Sequence, residues 1–171
     1  LRDGTPRDVT LVLSAAKRSY GNLVPRHAYE ERPSYYVVGG LVLCPLTSNY
    51  LGTWGKWEDV PIRLQRYWYE MRTSENASRE QIIVVTDVLP DELNVGYTSF
   101  EDCIVTEVNG KPIGSLRDVV ASIEGNGGPE HRIRVEDSFA EVVFRKEDLK
   151  QRGPQILERY RVPADRSADL R

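Results

Sequence analysis

Ser14 and Lys17 stand at the spacing where a lysine one helical turn on can take the proton of a serine hydroxyl. The partners such a site needs do not follow: no Ser-Asp-Asn or Lys-Thr-Gly occurs, and residues 9–13 (Val-Thr-Leu-Val-Leu) read as a strand, not a helix. Gly125-Asn126-Gly127-Gly128-Pro129 has the glycine-rich surroundings of an acyl-transfer nucleophile but holds no serine, so the reagent itself is missing. A turn after a helix accounts for that run. His27 and His131 are the only histidines, and neither falls into a compact spacing with cysteine or carboxylate that would hold a metal. Asn76-Ala77-Ser78 is a glycosylation acceptor by pattern alone. There is no phosphate-cradling or dinucleotide-binding glycine motif. The residues therefore predict a domain with no catalytic centre, no metal and no cofactor.

Composition agrees with a folded, soluble chain. Of 171 residues, 40% are apolar and 29% charged, enough to bury one core and too apolar for disorder. Lys and Arg total 23 against 26 Asp and Glu, a net charge of −3 that argues against a bulk grip on nucleic acid. No apolar run reaches the ~18–20 residues that a membrane span requires. Cys44 and Cys103 both lie in strand-like apolar runs, where buried thiols are the ordinary outcome. One bridge between them stays open, provided their strands are neighbours. The chain begins Leu-Arg-Asp, with no methionine and no signal segment, which reads as a piece of a longer protein. Its compartment stays open.

The elements follow from periodicity and punctuation. Tyr35 to Cys44 reads as the strongest strand, with Pro33 before it, Pro45 ending it and an anomalous Gly39-Gly40 inside, the signature of a bulge. Asp59 and Pro61 open a helix whose Leu64, Tyr67, Trp68 and Met71 share one face. Strands are predicted over 81–89 and 103–108, and Asn109-Gly110 marks a tight turn. Ser115 with Asp118 begins a helix bearing Leu116, Val119, Val120 and Ile123 at i, i+3, i+4 and i+7, and Gly125 ends it. A hairpin over 132–136 and 140–144 precedes a charged helix over 146–162, interrupted at Gly153-Pro154. This order gives an α+β class, not a parallel sheet. Residues 1–7 read as a leader, 8–162 as the domain with a 49–80 insertion, and 163–171 as a loose tail.

Four stretches carry a family resemblance. Val108-Asn109-Gly110-Lys111-Pro112-Ile113, followed by Ser115-Leu116-Arg117-Asp118-Val119-Val120, resembles the strand, turn and groove-lining helix of PDZ domains. The stretches 33–43 with Pro45-Leu46-Thr47, 88–97, and Ile156-Leu157-Glu158-Arg159-Tyr160 with Val162-Pro163 resemble a narrower group. That group is the C-terminal PDZ region of HtrA/Deg (DegP-like) serine proteases, and together the stretches cover most of residues 8–165.

The resemblance implies a PDZ-like partly open β-barrel or sandwich with a groove-flanking helix, an aromatic helical insertion and a C-terminal helix. It implies a non-catalytic, peptide-binding or regulatory role, with the serine endopeptidase chemistry elsewhere in the parent. In such a domain a peptide joins a strand edge as one more strand, its carboxylate held by successive backbone N–H groups. Carried onto this sequence, the loop is Ser34, Tyr35, Tyr36 and Val37, and the peptide-facing strand is 38–43 with Val38 and Leu41. Leu116, Val119, Val120 and Ile123 are the helix candidates, although a stripe at that spacing is equally the mark of core. The implied partners are peptides or unfolded segments, the protease domain and further copies of the parent, not nucleic acid. Trp54, Trp57 and Trp68 in the insertion are interface candidates, since Trp is favoured at interface centres. They underlie an alternative: an assembly and gating module with an occluded groove.

Overall fold

The computed structural model describes residues 23–25, 32–69, 79–136 and 140–171. The predicted strand over 9–13, Ser14, Lys17, His27, Met71 and the Asn76 acceptor lie outside the described residues.

The strand expected from Tyr35 to Cys44 is two strands. β1 (Tyr36–Val38) and β2 (Leu41–Pro45) pair antiparallel, with Tyr36 opposite Leu43 and Val38 opposite Leu41. Gly39-Gly40 is the turn between them and not a bulge. Both glycines have positive φ, 60° and 91°, as a two-residue turn matched to strand twist requires. Space enforces the same choice. A Cβ on Gly39 would sit 2.5 Å from the Phe144 ring, and one on Gly40 would sit 2.2 Å from the Asn94 amide.

The chain then adds β3 (Ile83–Val88), β4 (Ile104–Val108), β5 (Lys111–Pro112), β6 (Glu130–Val135) and β7 (Glu141–Arg145). The sheet order is β1-β2-β3-β4-β6-β7, with β5 on β4, and every pairing is antiparallel. Asn109 and Gly110, at φ 54° and 75°, make the turn that the sequence predicts. The sheet is open. Its curl brings the Phe144 ring of β7 under the β1–β2 turn without joining the two strands.

Alternation along the strands gives the sheet two buried faces. Ile83, Val85 and Val105 face one core; Val84 and Ile104 face another. The first core receives α3 (Leu116–Glu124), whose Leu116, Val119, Val120 and Ile123 are all buried against the sheet. Ser115 caps α3 by accepting from the Asp118 N–H, and Gly125 follows its last residue. The second core receives the insertion. Leu51 of α1 (Ser48–Leu51) and Leu64 and Tyr67 of α2 (Ile62–Tyr69) pack there with Ile82 and Val84. The insertion therefore covers the face of the sheet opposite α3.

The last helix, α4 (Lys146–Arg159), runs through Gly153-Pro154 without the expected interruption. Ile156, one turn later, is fully buried, and the Asp91 carboxylate holds the same stretch from outside the helix. Asp91 accepts from Arg152 at 2.6 and 2.9 Å and from Arg159 at 3.0 Å. The two cysteines are free thiols. β3 separates their strands, and two ladder spacings of about 9.5 Å exceed the reach of a disulfide.

Candidate functional site: a groove between β1 and α3

β1 is the edge of the sheet, and the hairpin register decides which of its groups face outward. Tyr36 and Val38 pair with β2, which leaves the Val37 N–H and the Tyr35 carbonyl turned away from it. Residues 165–167 take both. The Val37 N–H donates to the Asp165 carbonyl at 2.6 Å, and the Ser167 N–H donates to the Tyr35 carbonyl at 3.0 Å. Tyr36 thus stands opposite Arg166 in an antiparallel bridge, and the Tyr35 N–H donates to Ser167 Oγ at 3.1 Å. The segment 163–171, expected to be loose, is bound. The cause is general: an edge strand presents unpaired donors and acceptors, and a neighbouring extended segment satisfies them.

The side chains of this segment reach both walls. Arg166 donates to Glu124, the last residue of α3, at 2.6 Å, and its guanidinium carbon lies 5.1 Å from the centroid of the Tyr36 ring. Asp165 accepts from the same guanidinium at 2.9 Å. Those two carboxylates hold the Arg166 proton more firmly than usual. Burial pushes the Tyr36 phenol up to about 12, with Arg166 acting in the opposite direction. At the other end of α3, Arg117 donates to the Asp169 carbonyl at 2.6 Å, and the Asp169 carboxylate accepts from Ser34 Oγ at 2.8 Å. Hydrogen bonds from Ser167 and Ser34 lower the Asp169 pKa. Leu170, in a 3-10 turn over Ala168–Leu170, packs on the first core. Residues 165–170 thus lie along a groove with β1 on one side and the two ends of α3 on the other.

The structure brings some of the predicted site residues together and puts others to different use. Ser34, Tyr35, Tyr36 and Val37 line the groove and bind the segment within it. Val38 and Leu41 flank the hairpin turn and pair with each other, so β2 has β1 on one side and β3 on the other and offers no free edge. Leu116, Val119, Val120 and Ile123 are at most 9% exposed and belong to the core. Glu124 and Arg117, which do line the groove, and Arg166, Ser167 and Asp169, which occupy it, carry no sequence signal beyond polar character.

On the opposite face, Trp54 and Trp68 pack on the second core, and Trp54 meets the Tyr50 ring edge-on at 5.0 Å. Trp57 is more open and meets the ring of Tyr69 edge-on at 5.5 Å. A pocket of about 410 Å³ continues the groove toward the β1–β2 turn, lined by Tyr36, Val38, Ile123 and Asp165 of the groove together with Leu149 and Leu157. The Asn109 and Asn126 amides both reach His131 Nδ1, at 3.3 and 3.2 Å. Their carbonyl oxygens accept backbone N–H groups of Arg132 and Gly128, so the amino groups face the ring and the proton sits on Nε2. Burial and the nearby Lys146 lower the His131 pKa. Among the described residues no His, Cys, Asp and Glu cluster fits a metal, and no helix is long and apolar enough to cross a membrane.

A strand edge beside a helix that closes a groove is the layout the family resemblance leads one to look for. The family model described as PDZ domain matches residues 24–169. The chain belongs to the PDZ domain family. Protease Do-like 2, chloroplastic, of Arabidopsis thaliana is 31% identical over 99% of this PDZ chain and 27% of its own length. Protease Do-like 4, mitochondrial, of the same plant is 28% identical over 99% of the chain and 29% of its own length. A serine protease DegP homolog of Plasmodium falciparum is 29% identical over 60% of the chain and 11% of its own length. The chain spans about a quarter of the length of the Do-like proteases it matches. In this PDZ domain residues 165–170 lie in the groove.

Proposed function

We propose that this PDZ domain is a non-catalytic regulatory module of a Do-like serine protease, with its strand-addition groove held closed by its own chain. Proteolysis belongs to a part of the polypeptide outside these 171 residues. The observation that supports the reading is the double capping of the sheet edge. β1 takes the free edge of β2, and residues 165–167 take the edge of β1. A peptide adds as a strand only where N–H and C=O groups are unpaired. Any incoming peptide must also displace a tethered segment whose effective concentration is of millimolar order. Gating and assembly suit such a domain better than open reception of peptide termini.

The test is a titration of the intact chain with C-terminal peptides as free acids and as amides, read by backbone amide shifts. The closed groove predicts no shifts at Tyr35 to Val38 or Val119 to Ile123 with peptide kept well below the effective concentration of the tethered segment. Shifts there that vanish on amidation would overturn the reading.

A surface for assembly lies on the opposite face. Trp57 (36% exposed) and Tyr69 (67%) meet edge-on, and Ile62 (79%) is exposed on the same helix as Tyr69, an apolar surface suited to the protease domain or a second copy. Trp57→Ala is expected to weaken self-association or docking at least tenfold, a typical loss for an aromatic anchor, as followed by sedimentation. Unchanged association would remove Trp57 from the contact.

A further inference from the structure

We propose that the groove between β1 and α3 is a recognition site for an extended, arginine-bearing segment of another protein, with residues 165–170 as its exchangeable intramolecular ligand. The inference rests on the closed-groove reading and adds what the groove selects.

The contacts of the bound segment define the ligand. Its backbone is read by β1 through the Val37 N–H and the Tyr35 carbonyl, which any sequence except proline can satisfy. Selectivity comes from the side chains. Arg166 enters a subsite in which the Glu124 carboxylate accepts at 2.6 Å and the face of the buried Tyr36 ring lies 5.1 Å from the guanidinium carbon. A planar cation that both hydrogen-bonds a carboxylate and stacks on an aromatic face is arginine; lysine satisfies only part of that pair. Three residues on, the Asp169 carboxylate accepts from Ser34 while Arg117 takes its carbonyl. Leu170 then docks against the core. The pattern is an extended arginine, an acidic residue at +3 and an aliphatic one at +4.

The segment is placed to exchange. It joins the body through Arg161, whose φ of 56° is a left-handed helix stop, and then Pro163. Its side-chain bonds to Ser34 and Glu124, and the bond from Arg117 to its Asp169 carbonyl, are solvent-exposed. A tethered ligand lowers the apparent affinity of a competitor by the fraction of time that the groove is open. Weakening the segment therefore strengthens binding from outside.

The experiment uses the full chain and a blocked, fluorescent peptide with the sequence of residues 163–171. Binding is read by anisotropy, and its site by amide shifts at Tyr35 to Val38. Expected is binding to the Arg166→Ala chain at least tenfold tighter than to the unmodified chain. It should fall at least tenfold when the peptide's arginine is replaced by alanine, or when Glu124→Gln is added to the chain. Ser167→Pro, which removes the N–H that bonds Tyr35, gives an independent open chain on which the same ranking is expected. The proposal is overturned if neither open chain binds the peptide, or if the arginine-free peptide binds equally well. It also falls if the peptide stays unbound while the unmodified chain forms dimers that Arg166→Ala abolishes, since the segment would then serve exchange between copies. The closed-groove reading has its own signal. Altered amide shifts of β1 in the Arg166→Ala chain uphold it even where no peptide binds.

Discussion

Asp91 is a buried charge that joins two elements of the fold. Its carboxylate is fully buried, accepts from Arg152 and Arg159 and from the Leu93 N–H, and so ties α4 to the loop after β3. The Arg152 hydrogen bonds, against the cost of burial, hold its pKa at about 2. A carboxylate whose folded pKa lies below its unfolded value stabilises at all pH values above that unfolded value. The contribution is then lost as pH falls from about 4 to about 2. Asp91→Ala is expected to cost about 2 to 3 kcal/mol at pH 7 in denaturant unfolding, because two arginines lose a buried acceptor and Arg152 keeps only the exposed Glu92. The variant should also show a flatter stability profile between pH 4 and pH 2; an unchanged slope would place the acid sensitivity elsewhere. Nothing in the sequence marks Asp91 for this role, since both arginines come from 61 and 68 residues away.

At the scale of elements, α3 and the Asn109-Gly110 turn were legible because each carries its own local instructions. α3 has a cap, an apolar stripe and a terminating glycine, and the turn needs two residues that tolerate positive φ. The β1–β2 hairpin carried an equally clear instruction in Gly39-Gly40. By sequence alone it reads as a bulge, because the apolar run continues unbroken on both sides, which one long strand and two short buried strands both satisfy. Gly39→Ala is expected to cost about 3 kcal/mol, from positive φ and from the clash with the Phe144 ring. Thermal melting checks this; a loss below about 1 kcal/mol would mean that the turn is not as drawn. α4 ran through its Pro154 because Ile156 and the Asp91 pairing hold it, and both are tertiary contacts that periodicity does not contain.

Taken whole, the molecule is a curled antiparallel sheet with a core on each face, α3 closing one and the insertion closing the other. Class and family followed from sequence. The groove's occupant did not, because Asp165-Arg166-Ser167 is short and polar and finds its partners 130 residues away along the chain. The insertion's side of the sheet was equally hidden, since an apolar stripe states that a helix packs but not on which face.

The account depends most on residues 165–167 closing the β1 edge, and the Val37 amide reports that contact alone. Its N–H faces away from β2 and has the Asp165 carbonyl as its partner at 2.6 Å. Hydrogen exchange at this amide in the intact chain is predicted to be slow, and at least tenfold faster in the Arg166→Ala variant, with the Tyr36 and Val38 amides little changed. Exchange of Val37 in the intact chain at the rate of an unstructured amide would contradict the closed groove.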